Sequence, residues 1–164
     1  MATKIKDLRE LLVHKMKDLL DVENRIVDAL PDMIEAAENE RLREALQEHL
    51  EQTKGHIDRL KQGFEHVDAA ARRVTCKGME GILEEGEEAV EKTTGEARDA
   101  AIIAAAQSVE HYEIAGYGTA RTYAQRLKLK PLAELLQQTL DEEGEADKLL
   151  TEIATGGVNE AAAA

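Results

Sequence analysis

Tryptophan is absent from this 164-residue chain, phenylalanine occurs once (Phe64), and aromatics make up only 2% of it. A core must therefore be built from aliphatic side chains. Proline occurs twice, and long runs of β-branched residues are missing, so little interrupts a helix and little favours a sheet. Cys76 is the single cysteine, which excludes an intrachain disulfide and a thiolate metal cluster. Basic charge is in deficit, with 21 Lys and Arg against 34 Asp and Glu and a net charge of −13. That balance disfavours nucleic acid, whose phosphates reward basic surfaces. Neither an apolar N-terminal signal region nor an apolar stretch of membrane-spanning length is found. The expected home is a reducing cytoplasm, with no membrane partner.

What remains is rich in Ala, Leu, Glu and Lys, all good helix formers, and long enough for one domain with a real core. An all-α fold is expected. The first long helix is predicted from about Ile5 to Ala37, with a kink or break near Val27–Leu30 because Pro31 removes a backbone donor. Asn39 suits the cap of a second, from Glu40 to His66. "TCKGMEGILEEGEEAVEK" reads as a shorter helix within a long crossover, its acidic run at Glu84–Glu88 a solvated face. Thr93 and Glu96 stand in capping-box spacing before a third long helix ending near Arg126. Pro131 fits the first turn of a fourth, which Gly156-Gly157 should stop near Thr155. One domain over 1–155 and a frayed tail over 156–164 are expected. Two short links around one long crossover is the ferritin-like four-helix connectivity.

Glu23 raises the functional question. Leu12, Met16, Leu19, Ile26, Leu30 and Ile34 recur at spacings of three and four, and Glu23 falls near the centre of the stripe they define. A bare carboxylate in a core costs several kcal/mol or gives up its charge. The same anomaly recurs. Glu110 lies in the stripe of Ile103, Ala106, Gln107, Ile114 and Tyr117, with Glu113 beside it. Glu143 lies among Leu136, Leu140, Ala146 and Leu150, with Asp147 one turn on. The second helix places His49 and His56 in its seam and Gln52 at the edge. Glu51, His111 and Glu142 point elsewhere and read as surface. Glu23 to His56 spans 33 positions, as does Glu110 to Glu143.

Four carboxylates in one core cannot all stay ionised unless cations neutralise them. Carboxylate and imidazole ligands on facing helices are what dinuclear iron or manganese sites use. The candidate ligands are Glu23, Gln52, His56, Glu110, Glu113, Glu143 and Asp147. Tyr117 is expected at the core edge with its hydroxyl in solvent, and Cys76 as a small packing residue.

The stretches "LEQTKGHIDRL", "CKGMEGILEEG", "ARDAAIIAAAQSVEHYEIAGYGTA" and "LDEEGEADKLLTEIA" resemble the bacterial YciE/YciF stress-protein family. With the first helix, they cover nearly the whole chain. The resemblance implies a ferritin-like bundle, commonly a homodimer, with a diiron centre resembling that of rubrerythrins. It defines no activity, substrate or electron donor. The chain departs from the usual dimetal pattern of Glu-x-x-His on two helices. Here Gln52-x-x-x-His56 and Glu143-x-x-x-Asp147 stand instead, and the neutral Gln weakens one metal position, which could be empty as purified.

Two functions follow. In one, a dimetal protein of the stress response accepts peroxide or dioxygen reductively. In the other, a structural or interaction homodimer keeps a vestigial or empty site. A second apolar stripe of Ile102, Val109 and Gly116 on the third helix, compatible with both, is expected at a dimer surface. Bulk iron storage would need a hollow shell, which sequence cannot reveal.

Overall fold

The first long helix, α1, spans Leu8–Ala36 in the computed structural model, which describes residues 4–164. Residues 1–3, counted above with the bundle, lie outside the described part. Asp7 caps α1 by accepting from the Glu10 amide at 2.8 Å. The helix runs through Pro31 without the expected break. Pro31 is exposed, so its ring faces water rather than packed side chains. Helix α2, Glu40–Glu65, starts at Asn39 as expected, whose side chain accepts from Leu42 N at 3.0 Å.

The crossover carries α3, Lys77–Glu91. Its acidic run, Glu84, Glu85, Glu87 and Glu88, is exposed. Buried Asp21 on α1 pins its start, accepting from Cys76 N (2.9 Å), Arg73 Nε (2.9 Å) and Arg25 Nε (2.7 Å). Cys76 does more than pack: its sulfur caps α3 by accepting from Met79 N and lies 3.0 Å from the Tyr112 hydroxyl. Tyr112 covers Gly78, where a Cβ would meet the tyrosine oxygen at 2.7 Å.

Helix α4 spans Glu96–Arg126. The expected Thr93/Glu96 capping box does not form. The Thr93 hydroxyl donates back to Ala89 O, and Gly95, at φ 57°, occupies the cap. Buried Asp99 on α4 accepts from the amides of Glu38 and Asn39, both at 2.8 Å, tying the α1–α2 link to α4. Helix α5 spans Lys130–Ile153 with Pro131 in its first turn. Gly156-Gly157 do not stop the chain. A π turn over Ala154–Val158, with Gly157 at φ 149°, leads into a short α6, Asn159–Ala163. The expectation of a frayed tail overlooked Val158, which is 3% exposed and joins the core.

Helix α1 packs on α2 and α4, α5 packs on the same two, and α3 lies along α4. This is the ferritin-like bundle with one long crossover. The core has two apolar halves. One gathers Val22, Ile26, Leu46, Met79, Ile102 and Leu150; the other gathers Leu12, Met16, Phe64, Tyr117 and Leu132. The Ile102, Val109 and Gly116 stripe is buried inside the single chain, with a Cβ on Gly116 meeting Leu19 at 2.8 Å. It therefore supplies no argument for a second copy.

Candidate metal centre

Between the two apolar halves each long helix contributes polar side chains to one layer. Glu23 comes from α1, His49, Thr53 and His56 from α2, Glu110 and Glu113 from α4, and Thr139 and Glu143 from α5, all buried. The helical period explains the rows: His49 and His56 are two turns apart, Glu110 and Glu113 one. Two donor groups result. His49, Glu110, Glu113 and Glu143 each offer an atom within 4.8 Å of the others, and so do Glu23, His56 and Glu143. Glu143 belongs to both.

Of the candidates from sequence, Glu23, His56, Glu110, Glu113 and Glu143 are brought together. Gln52 is half-buried at the edge, and Asp147 accepts from Gln107 Nε2 at 3.0 Å and lies 3.3 Å from His111 Nε2. Asp147 joins neither donor group. The proper i−3 partner of His56 is Thr53, whose hydroxyl is spent on His49 O at 2.8 Å. The i+3 partner of Glu143 is Ala146. Both Glu-x-x-His motifs are thus incomplete, and His49 and Glu113 stand in from neighbouring turns. His49 was visible in the seam, seven residues before His56, but was not counted as a donor.

Two other expectations are corrected. Tyr117 is fully buried and donates to Glu23 Oε1. Glu142 is turned toward α2 instead of solvent, 2.8 Å from His56 Nε2. Arg59 grips that carboxylate through both oxygens, at 3.0 and 3.1 Å, and reaches Thr139 Oγ at 2.7 Å. A carboxylate behind a histidine fixes its ring and its donor nitrogen; here Nδ1 faces Glu143 at 2.9 Å and Glu23 at 3.5 Å. Arg121 stays outside, bonded to Gln137.

Burial and mutual repulsion push Glu110 and Glu113 well above the usual carboxylate range. Burial likewise raises Glu23, against the pull of His56. For Glu143 the opposing pull of His56 wins, and its carboxyl is held low. Burial disfavours charge on His56, yet Glu143 and Glu23 hold it at about 10. His49, desolvated, is depressed and neutral.

The residues fit a metal on one structural ground. Among the described residues, every buried side-chain nitrogen or oxygen without a well-formed hydrogen bond, Arg121 Nε excepted, belongs to this layer: Glu23 Oε2, both His49 nitrogens, His56 Nδ1, Glu110 Oε2, and both oxygens of Glu113 and Glu143. Of these, only His56 Nδ1 and Glu143 Oε1, at 2.9 Å, and His49 Nε2, 3.2 Å from Glu110 Oε1, stand in ion-pair contact. Such groups are costly unless something pairs them. Carboxylate oxygens with two imidazoles suit iron or manganese.

Comparison with known proteins agrees with this architecture. The chain is 42% identical over 160 residues to YciF of Escherichia coli, covering 96% of each. The crystal structure of that protein, described as a stress protein, superposes with a TM-score of 0.91 over 94% of this chain and 99% of the other. YcfI of Rhodopseudomonas palustris is 37% identical, with a TM-score of 0.89 over 92% and 97%. A Xanthomonas campestris protein, only 18% identical with a TM-score of 0.70, shares the fold. The model of a family described as a domain of unknown function, DUF892, matches residues 7–163, and this chain belongs to that family.

Proposed function

We propose that the chain is a stress-response protein that binds two iron or manganese ions, with Glu143 shared between them. His49, Glu110 and Glu113 would complete one position, and Glu23 and His56 the other. The observation that supports this is the concentration of partnerless buried donors in one layer. When bound, such a pair supplies the redox chemistry for reducing a peroxide or dioxygen. The chain's own residues do the rest. His56 must give up its Nδ1 proton to bind metal, so loading releases protons. Glu142 and Arg59 keep the ring aimed, and the Tyr117 hydroxyl holds Glu23. The apolar halves keep water from the layer. Calorimetric titration of the full chain with manganous or ferrous ion, in two buffers of different ionisation heat, tests this. Binding of two ions with proton release supports it. Absence of binding, or unchanged binding in Glu143→Ala, refutes it.

One observation favours the second reading, a structural or interaction homodimer with an unused centre. Imidazolium His56, Glu143, Glu142 and Arg59 already close a balanced charge network. The Rhodopseudomonas relative is named a candidate structural protein. A cytoplasmic homodimer is proposed under either reading, and sedimentation at tens of micromolar tests it.

A further inference from the structure

An apolar cleft of about 200 Å³ lies beside the polar layer, in the half of the core that contains Met79 and Ile102. The four long helices and α3 all line it. Native interiors hold few voids larger than a water molecule, and an apolar cavity smaller than this one takes up benzene. Its wall is made by Leu30, Met33, Leu46, Leu83, Ile102 and Leu150. Its polar lining is Glu48 and Glu145, which are exposed, Gln52, which is half-buried, and His49 and Glu110, which are buried. His49 Nδ1 and Glu110 Oε2 lie there without hydrogen-bond partners.

We propose that this cleft binds one neutral alkyl-chain molecule of the alkanol or alkanal class, its oxygen head against His49, Gln52 and Glu110. The wall selects the chain, since it offers hydrocarbon on every side. The buried part of the polar lining selects the head. No Lys or Arg lines the cleft, so a carboxylate head would enter among buried acids with no cation to meet it. An ammonium head would have to shed its hydration along an apolar wall, a cost a neutral oxygen does not carry. A hydroxyl or carbonyl oxygen can pair with the Gln52 amide or the His49 ring and carries no charge to desolvate.

His49 and Glu110 are also ligands in the metal reading, so the titrations use the metal-free chain, and failure of alkanol binding would leave the metal titration untouched. The experiment is calorimetric titration and melting of the full chain with 1-butanol through 1-decanol. Matched alkanoates and alkylamines serve as charged homologues. One saturable site is expected, tightening about fourfold per added methylene and levelling once the chain outgrows the cleft. Ala106→Leu and Ala146→Leu, each placing a larger side chain into the cleft, should each weaken binding at least tenfold. Leu136→Met, a volume-conserving change in the other apolar half, should leave it unchanged. Should one filling variant fail to fold, the other and the chain-length series still decide. Absence of a saturable site, equal affinity in a folded filling variant, or tighter binding of either charged homologue would overturn the proposal.

Discussion

His56 is the residue on which the metal-free protein balances. Its ordinary value is 6.5, and the neighbouring carboxylates hold it at about 10 in the fold. A raised value contributes stability that is complete below pH 6.5 and lost as pH climbs through about 10. Glu110 and Glu113, raised as carboxyls, add loss of the same sign as pH rises above their ordinary 4.5. Denaturant midpoints of the metal-free chain should therefore fall steadily from pH 6.5 to pH 10. In Glu143→Gln, the His56 ring protons followed by NMR should titrate well below 10, because the closest carboxylate is gone. An unchanged titration would mean that Glu143 is not what holds the proton. Tyr117 offers a second test at this scale. Tyr117→Phe leaves Glu23 without its donor and should cost the metal-free fold about 1–3 kcal/mol, measured by urea unfolding.

At the scale of elements, the crossover helix depends on Asp21. Burial works against its charge, but the Cys76 amide and the guanidinium groups of Arg25 and Arg73 overcome this and hold it below its ordinary 3.8. A depressed carboxylate contributes stability that is present above pH 3.8 and lost as pH falls through the lower folded value. Asp21→Asn should cost about 1–3 kcal/mol at pH 7, and the gap from wild type should close as pH falls below 3.8. Hydrogen exchange should speed up in α3 before the four long helices, since α3 hangs on this anchor, on Cys76 and on its packing along α4. Exchange that rises equally throughout the bundle would contradict the anchor's local role.

For the whole molecule, metal binding and folding are linked. A ligand that binds only the native state adds about 2.7 kcal/mol at a hundred times its dissociation constant. For a chain of this size that is a rise in Tm of about 5–10 °C. Manganous or ferrous ion should produce such a rise in wild type. Glu143→Ala should abolish it, because both positions share that carboxylate, whereas His49→Ala should remove only part. Glu23→Gln should shrink the rise while leaving the metal-free Tm nearly unchanged, since an amide oxygen still accepts from Tyr117. If wild type melts at the same temperature with and without metal, the structural reading moves ahead.

Sequence alone determined the helices, their connectivity and the presence of acids in the core. Those features are local: helix formers set the elements, a 3.6-residue period sets which face is apolar, and Asn39 and Pro131 mark ends through their own backbone chemistry. Glu23, Glu110 and Glu143 were legible because each interrupts the middle of an apolar stripe. Residues at stripe edges were not. Periodicity locates a side chain only to a broad sector of its helix, and whether an edge residue turns inward depends on what the facing helix presents. Arg59 and His56 on α2 draw Glu142 in. Gln107 and His111 hold Asp147 outside. The Glu23 carboxylate takes the Tyr117 hydroxyl that sequence assigned to water. The chain's path past Gly157 was settled in the same way, because burying Val158 against the bundle carries the backbone on where local glycine preference would end it.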